Sequence, residues 1–555
     1  MKREQGNAPG QACPMANRPL RAGSFAVVAL ATALSAGAAE LETGTDLKMR
    51  WDNTFKYSGA FRLKQPSALL TADPTLDDGD RNFHRGLISN RVDWLSELDL
   101  TYNNVGARVS AAAWYDSVYQ RRNDNNSPFT ANAVSVPYNE FTAATAQLHG
   151  RKAELLDAFV FGKFESGDIR SNVTLGKHAL LYGESLFFGA NGIAAGQLPI
   201  DVIKALSVPN SQFKEIARPV NQLSGQVQLN ANVSLGAYAQ WRWERNRIPA
   251  AGSYFSPADL VDAGGERIVA AALPGVGPVA AFYRGNDVQA RNSGQGGLQL
   301  RYRPEGANAD FGFYATRYHA KDFQVYVRPG VGAGMPADRI GSYVLVFPEA
   351  IRSFGASFST NLGETNVAGE VSVRHNAPLV SLTMPDLNGT GDNRANPLYA
   401  IGKTAHAQVS AISVLADSSF WNGATVLGEI AWNRTTSIGR NPAALDPNTT
   451  RDAFGLRAVF EPSYFQVADG LDLTLPLGIG YTPSGRSSAV GSFGVEKGGD
   501  VSIGVKADYL KTWRLSLNLT HFYGAAGPIS VAGIQSFKQF SADRDFLAFS
   551  VSRTF

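Results

Sequence analysis

The sequence has a single cysteine and no long apolar run beyond its N-terminus. Cys13 lies in a segment that we expect to be removed, which leaves the mature chain without a disulfide or a thiolate ligand. After about residue 39, no run of ~18 apolar residues occurs, so a transmembrane helix is excluded. If the protein crosses a membrane, it must therefore do so with strands.

Motifs for catalysis and metal binding are also absent. The seven histidines are scattered, and no HExxH, GxSxG or paired-carboxylate signature occurs. We therefore predict no enzymatic activity, no metal site and no cofactor. An outer-membrane hydrolase, which needs a Ser–His pair held by a third polar group, is kept as a third hypothesis.

The N-terminus carries an export signal. Basic residues, among them Arg18 and Arg21, precede an apolar stretch at 25–34 and the small residues that end near Ala38. We predict residues 1–38 as a cleaved signal peptide and residues 39–555 as one domain. Initiation at Met15 instead of Met1 would give a signal of more ordinary length.

Removal of this segment changes the charge balance. It contains four basic residues and one acidic residue, so the formal net charge falls from +3 to about zero. The basic balance of the full sequence is thus no reason to expect nucleic acid as a partner.

From Leu47 onward, apolar and polar residues alternate. Leu47, Met49 and Trp51 occupy odd positions, and charged residues lie between them. A period of two places the two sets on opposite faces of a strand. The pattern predicts eighteen strands, with sixteen as the alternative, near 46–63, 91–102, 105–116, 153–165, 169–181, 221–230, 233–244, 293–303, 309–320, 352–361, 365–375, 403–415, 423–434, 452–461, 471–481, 499–510, 513–523 and 544–555.

The connections alternate between short and long. Strands two and three are joined by Asn103-Asn104, for example, whereas 117–152 separates strands three and four. This pattern predicts an all-β fold: an antiparallel, up-and-down transmembrane barrel with short periplasmic turns and long extracellular loops. Such a barrel would contact outer-membrane lipid and lipopolysaccharide. The last strand ends in Phe555 and resembles the closing strands that the barrel-assembly machinery recognises.

Several segments resemble one bacterial outer-membrane family, catalogued as domain of unknown function 1302. The resemblance rests on Arg81-Asn82-Phe83, 96–100, 154–160, Gly176-Lys177, 182–185 and 198–202. It implies an outer-membrane location, a barrel and a channel for organic compounds. It supplies no catalytic residue.

If the apolar residues face lipid, the charged residues between them face the lumen. The predicted lumen-facing residues include Arg50, Arg62, Asp99, Arg108, Arg242, Glu370, Arg374, Glu429, Arg457 and Lys506. The alternative for each is an ion pair across strands that merely fills the interior. Because basic and acidic residues are nearly balanced, we expect weak selectivity between cations and anions.

One long connection, 182–220, has the features of a pore-constricting loop. It contains Gly189, Gly192 and Gly196, followed by a possible short helix with Asp201 in its first turn. We predict that it bends into the lumen, and a lid on the outer rim is the alternative. A second segment, 268–283, is too apolar to be free in water, so we expect it to pack inside the mouth or on another loop.

These patterns favour an outer-membrane channel for passive passage of small, partly hydrophobic organic molecules. A non-conducting outer-membrane surface or assembly protein is the second hypothesis. Fold alone does not decide between them.

Overall fold

The computed structural model describes residues 39–42, 46–209, 211, 213–332 and 334–555. Within them, eighteen antiparallel strands form one closed barrel. The strands are β1 (Leu47–Arg62), β2 (Gly86–Tyr102), β3 (Val105–Asp116), β4 (Arg151–Ser166), β5 (Ile169–His178), β6 (Val220–Gln228), β7 (Val233–Gln240), β8 (Gln295–Tyr302), β9 (Ala309–Tyr318), β10 (Ile351–Leu362), β11 (Thr365–Pro378), β12 (Ile401–Leu415), β13 (Gly423–Arg440), β14 (Asp452–Ala468), β15 (Leu471–Thr474 and Leu477–Ser484), β16 (Gly499–Tyr509), β17 (Trp513–Tyr523) and β18 (Phe546–Thr554).

The barrel closes between its first and last strands. Ser58 on β1 lies opposite Arg91 on β2 along one edge and opposite Ser550 on β18 along the other. A short strand, Ala39–Glu42, continues the second edge by pairing with residues 48–51 of β1. The predicted barrel of eighteen strands is confirmed, and the alternative of sixteen is not.

Several strands differ from their predicted extent, and the differences at β15 and β7 are local. The strand predicted at 471–481 is interrupted between Thr474 and Leu477. Pro476 lies in this gap and has no N–H to donate to a ladder. The strand predicted at 233–244 already ends at Gln240.

The two faces of the wall differ as the alternation predicts. On β1, Lys56, Ser58 and Arg62 are buried inside, whereas Tyr57 and Phe61 are exposed on the outer face. A closed barrel leaves no unpaired strand edge, and an apolar outer face suits lipid.

The connections divide the barrel into two ends. Eight short turns lie at one end, which we call the turn end: 103–104, 167–168, 229–232, 303–308, 363–364, 416–422, 469–470 and 510–512. Nine long connections lie at the other, the loop end: 63–85, 117–150, 179–219, 241–294, 319–350, 379–400, 441–451, 485–498 and 524–545.

The loops contain secondary structure of their own. A five-stranded sheet is formed by Arg267–Leu273, Gly277–Arg284, Gln324–Pro329, Arg339–Val346 and Met384–Pro385. The apolar segment at 268–283 is a hairpin in this sheet. Phe282 packs on the buried cluster around Tyr343, whereas Leu273 and Val276 at its tip are exposed.

Helices occur only as short segments in the described loops, and the longest α-helix is Val202–Ser207. No helix among the described residues is long and apolar enough to cross a bilayer. The predicted signal peptide at 1–38, with Cys13 and Met15, lies outside the described residues.

Candidate functional site

The connection at 179–219, which we call the crossing loop, spans the lumen. It leaves the wall at the end of β5 and returns at the start of β6. Its Phe188 packs on Phe493, with ring centroids 5.5 Å apart, and against Gly455 of β14. Because β14 is nine strands from β5 in a barrel of eighteen, the loop reaches the opposite wall.

Two carboxylates of the far wall hold the loop by its backbone. Glu429 on β13 accepts the backbone N–H groups of Leu186 at 3.1 Å, Phe188 at 2.8 Å and Phe187 between them. Glu370 on β11 accepts those of Glu184 at 2.7 Å and Ile193 at 2.8 Å. Hydrogen bonds to a charged partner contribute about 1.5–3 kcal/mol each, so these contacts fix the path of the loop.

A guanidinium complements the two carboxylates. Arg374 Nη2 donates to the carbonyl oxygens of Ala190 at 3.0 Å, Asn191 at 2.8 Å and Gly192 at 2.9 Å. Wall anions therefore bind the N–H groups of the loop, and a wall cation binds its carbonyls. Both contacts are to the backbone of the loop and do not depend on its side chains.

The predicted loop glycines have different surroundings. A Cβ atom at Gly192 would meet the Glu370 carboxylate, and one at Gly196 would meet the Tyr318 ring. Gly189 has open space around it. Gly183, which sequence reasoning missed, has φ +92° and also faces Glu370. Close approach to the wall thus requires glycine at 183, 192 and 196.

The second half of the crossing loop packs against β3 and the connection at 241–294. Asp201 caps the helix Val202–Ser207 by accepting the N–H of Lys204 at 3.0 Å, and it also pairs with Arg247 at 2.7 Å. Lys204 Nζ lies 5.4 Å from the centroid of the Trp114 ring on β3. Burial lowers the pKa of Lys204, while the negative charges of Asp93 and Asp201 oppose the shift.

Four predicted lumen residues lie in the turn half of the barrel, and a fifth, Arg457, lies nearer the loop end; all five form ion pairs. Asp99 pairs with Arg108 at 3.0 Å, and Arg50 pairs with Asp52 at 2.8 Å. Arg457 pairs with Asp500 at 3.0 Å, and Lys506 with Glu461 at 2.8 Å. This pairing agrees with the alternative that the charged residues form ion pairs that fill the interior. All of these basic side chains are nevertheless partly exposed to solvent.

Arg62 and Arg242 lie apart from this set. Arg62 is fully buried at the loop end, where it pairs with Asp80 at 3.0 Å and Asp543 at 3.1 Å. Arg242 lies beyond the end of β7, and its side chain is 63% exposed. The neighbouring residue, Trp243, is buried and packs on Phe347. The alternation that would place the side chain of Arg242 in the lumen therefore ends before residue 242.

Sequence reasoning missed a cluster of buried acids at the loop end. Asp77, Asp78 and Asp259 are each at most 2% exposed. Burial, with the negative charge of Asp78 beside it, raises the pKa of Asp77 to about 7. Burial also raises the pKa of Asp78 to about 6, against the hydrogen bonds that it accepts. The run Asp77-Asp78-Gly79-Asp80 was the available signal, but Asp259 is remote in sequence.

One Ser–His contact is relevant to the hydrolase hypothesis. His178 Nε2 lies 2.7 Å from Ser224 Oγ, and His178 Nδ1 lies 3.1 Å from the carbonyl oxygen of Gly176. The third group is thus a backbone carbonyl and not a carboxylate that could stabilise an imidazolium. This pair fits a wall contact better than a triad.

The family model described as "Protein of unknown function (DUF1302)" matches residues 20–555. The chain belongs to this family. The resemblance inferred from the sequence segments is therefore confirmed over nearly the whole chain. With its closed barrel and apolar outer face, this DUF1302 protein lies in the bacterial outer membrane.

Solved structures that match most of the chain share little sequence with it. OccAB3 of Acinetobacter baumannii matches with a TM-score of 0.43 and 10% identity, covering 91% of this chain and 99% of that one. OpdK of Pseudomonas aeruginosa with vanillate gives 0.39 and 12%, covering 93% and 100%. OccK2 (OpdF) of the same organism, in complex with glucuronate, gives 0.37 and 10%, covering 93% and 99%. Among curated proteins, none matches the DUF1302 chain.

Proposed function

We propose that the protein is an outer-membrane channel for passive passage of small organic molecules, narrowed by the crossing loop. The observation that carries this proposal is the binding of the loop backbone to the far wall by Glu370, Arg374 and Glu429. A barrel of about eighteen strands without such a loop would enclose a wide aqueous pore. The anchored loop reduces that pore to a selective passage.

Hydration of the turn half supports a channel over a non-conducting role. In the turn half, the inward-facing side chains of Arg108 and Lys506 are 26% and 39% exposed. Charges inside a dry barrel would need complete pairing, whereas these keep contact with water. At the loop end, Arg62 and Arg544 are almost fully buried. The lumen is thus a water-filled vestibule that ends at packed loops.

The orientation and the outer contacts follow from the same reasoning. We infer that the loop end faces the cell exterior and the turn end the periplasm, as in outer-membrane barrels generally. Lipid and lipopolysaccharide would contact the apolar outer face. The barrel-assembly machinery would recognise β18, which ends at Phe555.

The solute class is proposed from the loop end. Leu273 and Val276 at the hairpin tip are 53% and 67% exposed, so apolar surface is available on the loops that a solute meets first. This surface favours a solute that is partly hydrophobic over a simple ion. Balanced lumen charges favour weak ion selectivity.

Conductance in a planar bilayer tests the proposal. Glu370→Gln with Glu429→Gln removes the charge of each carboxylate and replaces one of its two acceptor oxygens with an N–H donor. The loop is then held less firmly, and we expect a higher single-channel conductance than wild type. The matched control, Glu461→Gln with Asp508→Asn, removes two charges from wall ion pairs in the turn half and should leave the loop in place. Liposome swelling with partly apolar and fully polar solutes of equal mass then tests the solute class.

Two outcomes would contradict the proposal. A folded wild type and a folded loop variant that both fail to conduct would favour the non-conducting surface role. Equal conductance changes in the loop variant and in the control would show that lumen charge, and not the loop, sets the passage.

A further inference from the structure

Three buried aspartates meet between two loops at the loop end. One carboxylate oxygen from each of Asp77, Asp78 and Asp259 lies within 4.8 Å of one from each of the others. Asp77 and Asp78 begin the short helix Asp78–Arg81 in the connection at 63–85. Asp259 comes from the connection at 241–294, and its Oδ2 accepts the N–H of Asp78 at 3.0 Å.

The charges of the cluster are not balanced by the residues around it. Asp77 pairs with Arg81. Asp78 receives only neutral donors, from Thr130, Asn125 at 2.9 Å and Asn132 at 2.9 Å. Within the described residues, three carboxylates thus have one ion-pairing cation. Carboxylates buried without compensation are costly, so a further positive charge would stabilise the cluster.

Two oxygens of the cluster lack a donor as well as a charge. Asp77 uses Oδ2 for Arg81, and Asp259 uses Oδ2 for the backbone of Asp78. Asp77 Oδ1 and Asp259 Oδ1 are buried, and neither accepts a hydrogen bond from any described residue. Buried polar atoms almost always have a partner. These two oxygens are therefore available as ligands for an ion.

We propose that Asp77, Asp78 and Asp259 bind a calcium ion that joins two long loops. Carboxylate oxygens are the ligands that Ca²⁺ and Mg²⁺ prefer. Mg²⁺ dehydrates reluctantly and usually keeps several waters, whereas Ca²⁺ accepts a site built from protein oxygens. Three carboxylates that are each at most 2% exposed therefore fit Ca²⁺ better.

The ion would stabilise the packed loop end of the barrel. Asp80, in the same short helix, is buried against Arg62 and Arg544. The donors to Asp78 come from a third connection, 117–150. One ion at this point thus links 63–85 and 241–294 directly and holds 117–150 through its neutral side chains. The role is independent of whether the barrel conducts.

Calorimetric titration of the purified, chelator-treated full chain with CaCl₂ tests the site. We expect one Ca²⁺ per chain with a Kd of about 10⁻⁵–10⁻³ M, the range of weak sensor and extracellular sites. Asp77→Asn and Asp259→Asn should each weaken binding about tenfold or more. The control Glu165→Gln, an exposed carboxylate at the turn end, should bind as wild type does. Absence of binding to wild type, or affinity unchanged in both aspartate variants, overturns the proposal.

Hydrogen exchange followed by mass spectrometry makes the test independent of the variants. Ca²⁺ added to wild type should slow exchange in 63–85 and 241–294, and the same concentration of Mg²⁺ should slow it less. If neither aspartate variant folds, this measurement decides. Unchanged exchange in both loops, or protection confined to other regions, rejects the site.

Discussion

Val505 on the outer face of β16 allows the position of the barrel in lipid to be measured. It lies opposite Leu517 of β17, and both side chains are exposed, at 40% and 46%. Val505 is four residues from Tyr509 at the turn end. With a rise of ~3.3 Å per residue and a tilt of ~40°, it lies about 10 Å above the level of that ring. An apolar band ~25 Å tall then places Val505 within a few ångströms of the midplane.

Val505→Arg should therefore cost about 2–4 kcal/mol in folding, the range for arginine near the midplane of a barrel. Lys506→Ala, at the next residue, is the control because its side chain faces the lumen. It breaks an ion pair with Glu461 in which both side chains are more than a quarter exposed. Such pairs contribute about 0–1 kcal/mol. Urea titrations of both variants in lipid vesicles, followed by tryptophan fluorescence, measure the free energies of unfolding. Equal costs would mean that the strand register is shifted by one residue, since such a shift exchanges the faces.

Two further predictions concern the loop end. An epitope inserted between Asn388 and Gly389, both exposed, should be detected on intact cells, and one inserted between Asp417 and Ser418 at the turn end should not; the reverse pattern would invert the orientation. Asn125 is unsuitable for such a tag because it is buried against Asp78 and Asn82. Burial, with the positive charges of Arg91 and Arg247, lowers the pKa of His149 to about 3, and its Nε2 accepts the N–H of Ala250 at 3.1 Å. Because the folded state disfavours the protonated ring, loop stability should fall as pH decreases from about 6.5 towards 3, by roughly 2 kcal/mol at pH 5. A lower protection factor for the Ala250 amide at pH 5 than at pH 7, after correction for the pH dependence of intrinsic exchange, checks this; His149→Gln should abolish the difference, and equal protection factors at both pH values would contradict the prediction.

The barrel was predictable because every wall strand separates two solvents. Lipid on one side and a polar lumen on the other impose a period of two on the sequence, and turn lengths show where each strand ends. The predicted strand limits were wrong where a local effect overrode the alternation. Pro476 interrupts β15, and the register is lost after Gln240, where Trp243 packs on the loop sheet. Neither effect changes the polar pattern that defines a strand.

The contents of the lumen were predictable only in part. Glu370, Arg374 and Glu429 were identified as inward-facing charges from their strand positions. Their contacts with 184–193 arise because the crossing loop reaches strands far from its own ends, and no local pattern encodes that pairing. The aspartate cluster has the same origin, since Asp259 is 181 residues from Asp78. The periodicity of a sequence does not show which distant residues meet when the barrel closes.

The way in which the crossing loop is held has a consequence for selectivity. Glu370, Arg374 and Glu429 bind N–H and carbonyl groups that every residue except proline offers. Side chains at 184–190 can therefore vary without loss of these backbone hydrogen bonds. Asn191 also binds the far wall through its side chain, and the wall occupies the space of a Cβ atom at Gly192 and Gly196. Fixed wall charges with a variable loop surface allow the passage to change its solute while the barrel keeps its fold. Substitution of exposed loop side chains should thus alter solute preference before it alters stability.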